Sequence, residues 1–191
     1  MALRLETADL ELISLDALDV DALAVPVGPS RPLTGLAAFV DWRLCGAIAR
    51  AVRAGLFATE AEEALLMPTG GRLRVPRAFC FGLAREPLDA AGFSAAARRV
   101  CDAMARAGSR ALATALPGSE PGVPAPRLWL EAALRRAPER MVLLGDGRGL
   151  ARGLEAARGE LGASVEVAFS PARAEPSAKA AVLPPRSAVV R

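Results

Sequence analysis

Six consecutive residues without a polar side chain, Ala22-Leu23-Ala24-Val25-Pro26-Val27, run into the loop Gly28-Pro29-Ser30-Arg31-Pro32-Leu33 and then into an apolar-striped segment from Thr34 to Gly55. A strand that is apolar at every position must be covered on both faces, which calls for helices on each side of its sheet. In the segment that follows, Leu36, Val40, Leu44, Ile48 and Val52 recur every four residues beside Phe39, Ala47 and Ala51. That pattern predicts one long amphipathic helix with Thr34 as its N-cap and Gly55 as its stop. Asp41, Arg43, Arg50 and Arg53 fall mostly outside the stripe, as a solvated flank would. A loop between the carboxyl end of a strand and a crossover helix is where α/β sheets hold ligands. Gly28, Arg31, Thr34 and Gly35 are therefore the first candidate binding residues, although Gly28 to Thr34 holds no carboxylate, amide or thiol and only one charge, Arg31.

The rest of the chain repeats the alternation. Leu3 to Ser14 alternates weakly and predicts one or two short strands, broken near Ala8-Asp9. Ala64 to Met67 and Ala78 to Leu83 read as neighbouring strands. Phe93 to Ala107 reads as a helix with Ser94 as a cap and Gly108 as its stop. A strand over Arg110 to Leu116 leads to the loop Pro117 to Pro124, and a helix over Arg127 to Ala137 has its start near Pro126. Met141 to Leu144 is a buried strand, Asp146 to Leu161 a helix, and Val165 to Phe169 a last strand. Alternation of this kind predicts a three-layer α/β/α sandwich on a largely parallel or mixed sheet, formed by residues 1–169. From Ser170 onward four prolines and scattered charge replace periodicity, so 170–191 is expected to be a disordered basic tail or a linker.

Composition excludes several chemistries. The 191 residues contain no histidine, which removes the commonest general base and metal ligand from the chain acting alone. Cys45, Cys80 and Cys101 are widely spaced within apolar segments, so they are expected to be buried thiols in a reducing cytoplasm rather than a zinc site or disulfide framework. The formal charge of +3 lies in the tail, where Arg173, Lys179, Arg186 and Arg191 face Glu175 alone, and the body balances 20 basic against 20 acidic residues. A neutral body predicts no nucleic-acid partner. The first residues have no signal-peptide pattern and no apolar run nears the length of a bilayer, so a cytoplasmic chain without a membrane partner is expected.

Asp21 to Val27 with Leu33-Thr34-Gly35, Phe81-Gly82-Leu83-Ala84 after a strand, the helix containing Arg98, and the strand and loop from Ala111 to Pro117 together resemble the N-terminal, macro-domain-like domain of M17 leucyl aminopeptidases. The resemblance covers about Leu10 to Phe169. In that family two metal ions are held by a separate C-terminal domain marked by an Asn-Thr-Asp-Ala-Glu-Gly-Arg-Leu run. No such run occurs here, and Asp41, Asp89, Asp102 and Asp146 are scattered, so the resemblance implies a chain with no catalytic residues, metal or cofactor of its own. The same fold resembles true macro domains, which bind ADP-ribose through an adenine-binding Asp, an Asn-Ala-Ala-Asn run and a Gly-rich loop. Here those positions fall on Ser14, on Val25 and Gly28, and on Gly35 alone, while Pro121-Gly122-Val123-Pro124 keeps the outline of the last loop. Backbone amides around Gly28, Gly35, Gly118, Ser119 and Gly122 remain as a candidate anion cradle.

Two further motifs have simpler explanations. Gly145-Asp146-Gly147-Arg148-Gly149 departs from the dinucleotide fingerprint and reads as a helix start capped by Asp146, and Pro68-Thr69-Gly70-Gly71 reads as a turn. Trp42 and Trp129 are both expected to be partly buried in the core. The functional expectations are a non-catalytic interaction or assembly module with a protein or homo-oligomeric partner, a module for ADP-ribose or another nucleotide-like anion, or an aminopeptidase relative without its metal site.

Overall fold

The computed structural model describes residues 3–136 and 138–170. Seven strands, β1 (Leu3–Asp9), β2 (Ala22–Val27), β3 (Ala64–Pro68), β4 (Arg77–Gly82), β5 (Ala111–Ala115), β6 (Arg140–Gly145) and β7 (Val165–Phe169), form one sheet. Their order is β3-β4-β2-β5-β6-β1-β7. Every pairing is parallel except β3 with β4, where Leu66 faces Phe79, so an antiparallel edge strand closes an otherwise parallel sheet. Among the described residues the helices are α1 (Leu12–Asp16), α2 (Gly35–Arg43), α3 (Ala47–Arg53), α4 (Ala90–Arg106), α5 (Ala125–Arg136) and α6 (Gly147–Leu161).

The strands alternate between two cores because successive side chains leave a strand on opposite faces. Ala22 and Ala24 of β2, Met141 and Leu143 of β6, and Phe81 of β4 join the core under α4, α5 and α6. Leu23 and Val25, Val142 and Leu144, and Cys80 join the core under α1, α2 and α3. The sandwich has its expected three layers. Trp129 is wholly buried in the first core, whereas Trp42 on α2 is 62% exposed, so only one tryptophan is internal.

Local details correct four expectations. The chain after β1 turns into the short helix α1 instead of a second strand. The predicted long helix is two helices, because Cys45 and Gly46 take left-handed φ values of 55° and 80° and make an elbow between α2 and α3. There the Ala49 amide donates to Asp41 Oδ1 at 3.0 Å, so Asp41 braces the start of α3. Cys45 stands exposed at the elbow rather than buried, while Cys80 and Cys101 lie in the cores. Finally, α4 begins earlier than its apolar pattern implies, capped by Asp89 and not Ser94. Gly55 does end α3: its amide reaches Val52 O and the Leu56 amide reaches Ala51 O, a Schellman closure.

Two glycine-containing turns behave simply. Asp146 Oδ1 accepts from the Gly149 amide at 3.0 Å as the N-cap of α6, and Thr69 Oγ1 donates to Val75 O at 2.7 Å inside the β3–β4 hairpin loop. Among the described residues no helix is long and apolar enough to cross a membrane. The tail expected over 170–191 lies outside the described residues apart from Ser170, whose amide donates to Thr7 O.

Candidate functional site

The carboxyl ends of β1, β2, β5 and β6 meet at a cleft of about 180 Å³. Gly28, Thr34 and Gly35 line it from the β2 loop and the start of α2; Leu116 and Pro117 line it from β5, and Leu144 and Gly145 from β6. A shallower depression of about 470 Å³ continues past Pro117 to Gly118, Ser119 and the start of α6. The sheet therefore brings together five of the seven candidate residues. Arg31 folds back on its own loop, its Nη1 donating to Gly28 O at 3.0 Å and Ser30 O at 2.8 Å. Gly122 holds a turn at φ 85° and lines neither space.

The polar character of the cleft comes from a residue with no periodic signal, Glu86. Its loop is zipped to the β5 loop: the Leu88 amide donates to Gly118 O and the Glu120 amide to Leu88 O, both at 2.9 Å. That pairing swings the Glu86 side chain over the cleft, where Oε1 accepts from the Gly118 amide at 2.5 Å. A Cβ on Gly118 would lie 2.8 Å from Oε1, and one on Gly28 would run into Oε2. The two glycines are thus the jaws that hold a carboxylate, and neither tolerates a side chain while Glu86 is in place.

Neighbouring amides are also taken by acids. The Gly147 amide donates to Asp9 Oδ1 at 2.9 Å and the Gly149 amide to Asp146, so the glycine-rich start of α6 is satisfied within the chain. At α2, by contrast, Thr34 is extended as an N-cap should be, but its hydroxyl makes no capping bond. Gly35, Leu36 and Ala37 of the first turn of α2 line the cleft, and among the described residues no side chain accepts from their amides; a helix N-terminus favours negative charge. Ser14, at the position expected for an adenine contact, is buried with an unpartnered Oγ and does not line the cleft. Among the described residues no group of three His, Cys, Asp or Glu side chains is placed to hold a metal ion.

A sheet of this order, with a cleft at the carboxyl ends of its parallel strands, defines a macro-domain-like fold. Solved structures agree with that class. A macrodomain of Trypanosoma brucei in complex with ADP superposes with a TM-score of 0.59 at 12% identity, over 80% of this chain and 67% of that one. The macrodomain of Thermus aquaticus DarG gives 0.54 at 13%, over 76% and 99%. A tomato leucine aminopeptidase gives 0.54 at 16% identity; the match covers 82% of this chain but 35% of that enzyme, so this chain spans about a third of its length. No protein-family model matches the sequence, and no curated protein matches it.

Proposed function

We propose that this chain is a non-catalytic, macro-domain-like module that works by contact with a protein partner, its ligand cleft being held shut by its own Glu86. The observation that carries this reading is the Glu86 carboxylate seated between Gly28 and Gly118 on an amide an anionic ligand would use. A diphosphate entering there must expel a group of its own sign. The cleft itself is small, about 180 Å³ against roughly 300 Å³ and more for sites that bury drug-sized ligands. Trp42, largely exposed on α2 with the Arg43 guanidinium 4.8 Å from its ring centroid, offers the kind of aromatic anchor that protein interfaces favour.

A second reading is favoured by the uncapped start of α2 and by the ADP bound to the trypanosomal neighbour: the cleft takes a nucleotide-like anion such as ADP-ribose once Glu86 moves aside. Calorimetric titration with ADP-ribose separates the two. The native chain is expected to give no saturable heat, and Glu86→Ala, which frees the Gly118 amide and removes the opposing charge, is expected to bring binding into range. The gain should be about tenfold or more, on the scale of one charge-assisted hydrogen bond. Micromolar binding by the native chain, lost in Gly35→Glu, would overturn the first reading in favour of the second.

A further inference from the structure

A larger cavity, about 490 Å³, lies away from the cleft, between α4 and the carboxyl end of β4. Four arginines line it, Arg85, Arg98, Arg99 and Arg106, against two carboxylates, Glu62 and Asp102. Asp102 is engaged by Arg136 at 2.5 Å, and Arg85 by Asp89, just outside, at 2.6 Å, which leaves Arg98, Arg99 and Arg106 against Glu62 alone. Among the described residues Arg98, Arg99 and Arg106 enter no ion pair; Arg98 donates only to Ser94 Oγ, at 2.8 Å.

Arg99 is the residue that needs explaining. Its Nη2 donates to Gly82 O, but Nε and Nη1 are shut off from water and among the described residues have no acceptor. Burial lowers its pKa, partly offset by Glu62, as expected of a cation short of compensation. Its guanidinium sits 5.8 Å from the Phe81 ring centroid and so covers the sheet. Covering a ring accounts for the stem and the stacking; it does not account for two donors withdrawn from water. Unpaired buried donors in a native fold ask for a water, an ion or a ligand.

The wall opposite is built under strain. Ala84 and Thr59, neither a glycine, both take left-handed φ values, 55° and 67°, and the Ala84 amide donates to Thr59 O at 2.8 Å. The backbone of Thr59 and Glu60 presses on Gly82 so closely that a Cβ there would lie 2.5 Å from Thr59 C. Leu83 and Leu88 add an apolar surface.

We propose that this cavity is a binding site for a small phosphomonoester with an apolar body, its phosphate taken by Arg99 with Arg98 and Arg106 and its body laid on Leu83 and Leu88. The excess of two positive charges in the lining matches the charge of about −1.5 to −2 on a phosphomonoester at neutral pH, and the volume suits a ligand of that size. This site is separate from the cleft, and stands or falls independently of it.

The test is titration of the intact chain with phenyl phosphate, followed by 15N-resolved NMR, with benzyl alcohol as the uncharged comparison. Saturable shifts are expected at the Arg99 Nε and the amides of Gly82 to Ala84 and Gly92, with none from benzyl alcohol. Arg99→Met keeps an apolar stem over Phe81 and should weaken binding about tenfold or more, and Arg106→Gln, a change at an exposed position, should weaken it less. No saturable shift, shifts confined to Gly28, Gly35 and Gly118, or undiminished binding in a folded Arg99→Met would each overturn the proposal.

Discussion

Trp129→Ala is expected to lower the free energy of unfolding by about 3–5 kcal/mol, the range for truncating a large buried aromatic. Trp129 has no exposed surface and ties three elements together. From α5 its ring meets Phe93 of α4 edge to face, with centroids 6.4 Å apart and planes at 73°, and its Nε1 donates to Met141 Sδ of β6 at 3.1 Å. Alanine would open a cavity that the sheet on one side and α4 on the other cannot both close. A loss of this size is a large share of the roughly 5–15 kcal/mol available to a domain. Urea unfolding should show a lower midpoint with the same denaturant slope. Trp129→Phe separates packing from hydrogen bonding: sulfur is a weak acceptor, so phenylalanine should restore more than half of the loss. Equal losses in the two variants would mean the indole N–H, not the ring volume, carries the stability.

The second large effect is electrostatic. Glu6 on β1 is buried, with both oxygens 2.8 Å from the Arg140 guanidinium of β6, and Arg4 approaches Oε1 at 3.0 Å. Glu6→Gln leaves Arg140 without its counter-charge beside the sheet. Breaking a fully buried pair costs about 3–5 kcal/mol; the Arg140 side chain is 34% exposed and water screens it, so about 1–3 kcal/mol is expected here. The hydrogen bond from Arg140 is the main cause that holds the Glu6 carboxyl below its ordinary value of 4.5, and burial opposes it. Because the folded state lowers this pKa, the stabilisation is complete above about pH 4.5 and fades as the pH falls through the folded value. Unfolding midpoints measured from neutral to acid pH should therefore converge for the native and Glu6→Gln chains. A gap that stays constant into strong acid would rule the pair out as its source.

How much of this was legible beforehand depends on whether the signal was periodic. The buried strands were, since Leu23 and Val25 or Met141 and Leu143 stay apolar whichever face they meet. The elbow at Cys45-Gly46 was hidden because α2 and α3 pack on the same face: Leu36, Val40, Leu44 and Ile48 all reach one core, and the stripe runs through the break as if it were a single helix. An isolated glycine inside a helical pattern was the available warning. Gly28 and Gly118 were singled out as backbone amides for an anion, and in the structure the group that approaches both is the carboxylate of Glu86. Glu86 sits in a loop without periodicity and reaches the cleft only because Leu88 pairs with the β5 loop, and its contact with Gly118 spans 32 positions, which no local pattern encodes. Arg99 lies within the helix expected over Phe93 to Ala107 and nothing in the pattern set it apart, since a charged residue every few positions looks solvated until Phe81 is found beneath it.

The elbow between α2 and α3 gives the molecule a built-in gauge of its own integrity. Cys45 is open to reagent, whereas burial pushes the Cys80 and Cys101 thiols up to about 12 and keeps them out of reach. A thiol-reactive dye should count one site on the folded chain and three on the unfolded one. The rate at which the second and third appear would time how often each core opens, Cys80 reporting on the layer under α1 to α3 and Cys101 on the layer under α4 to α6.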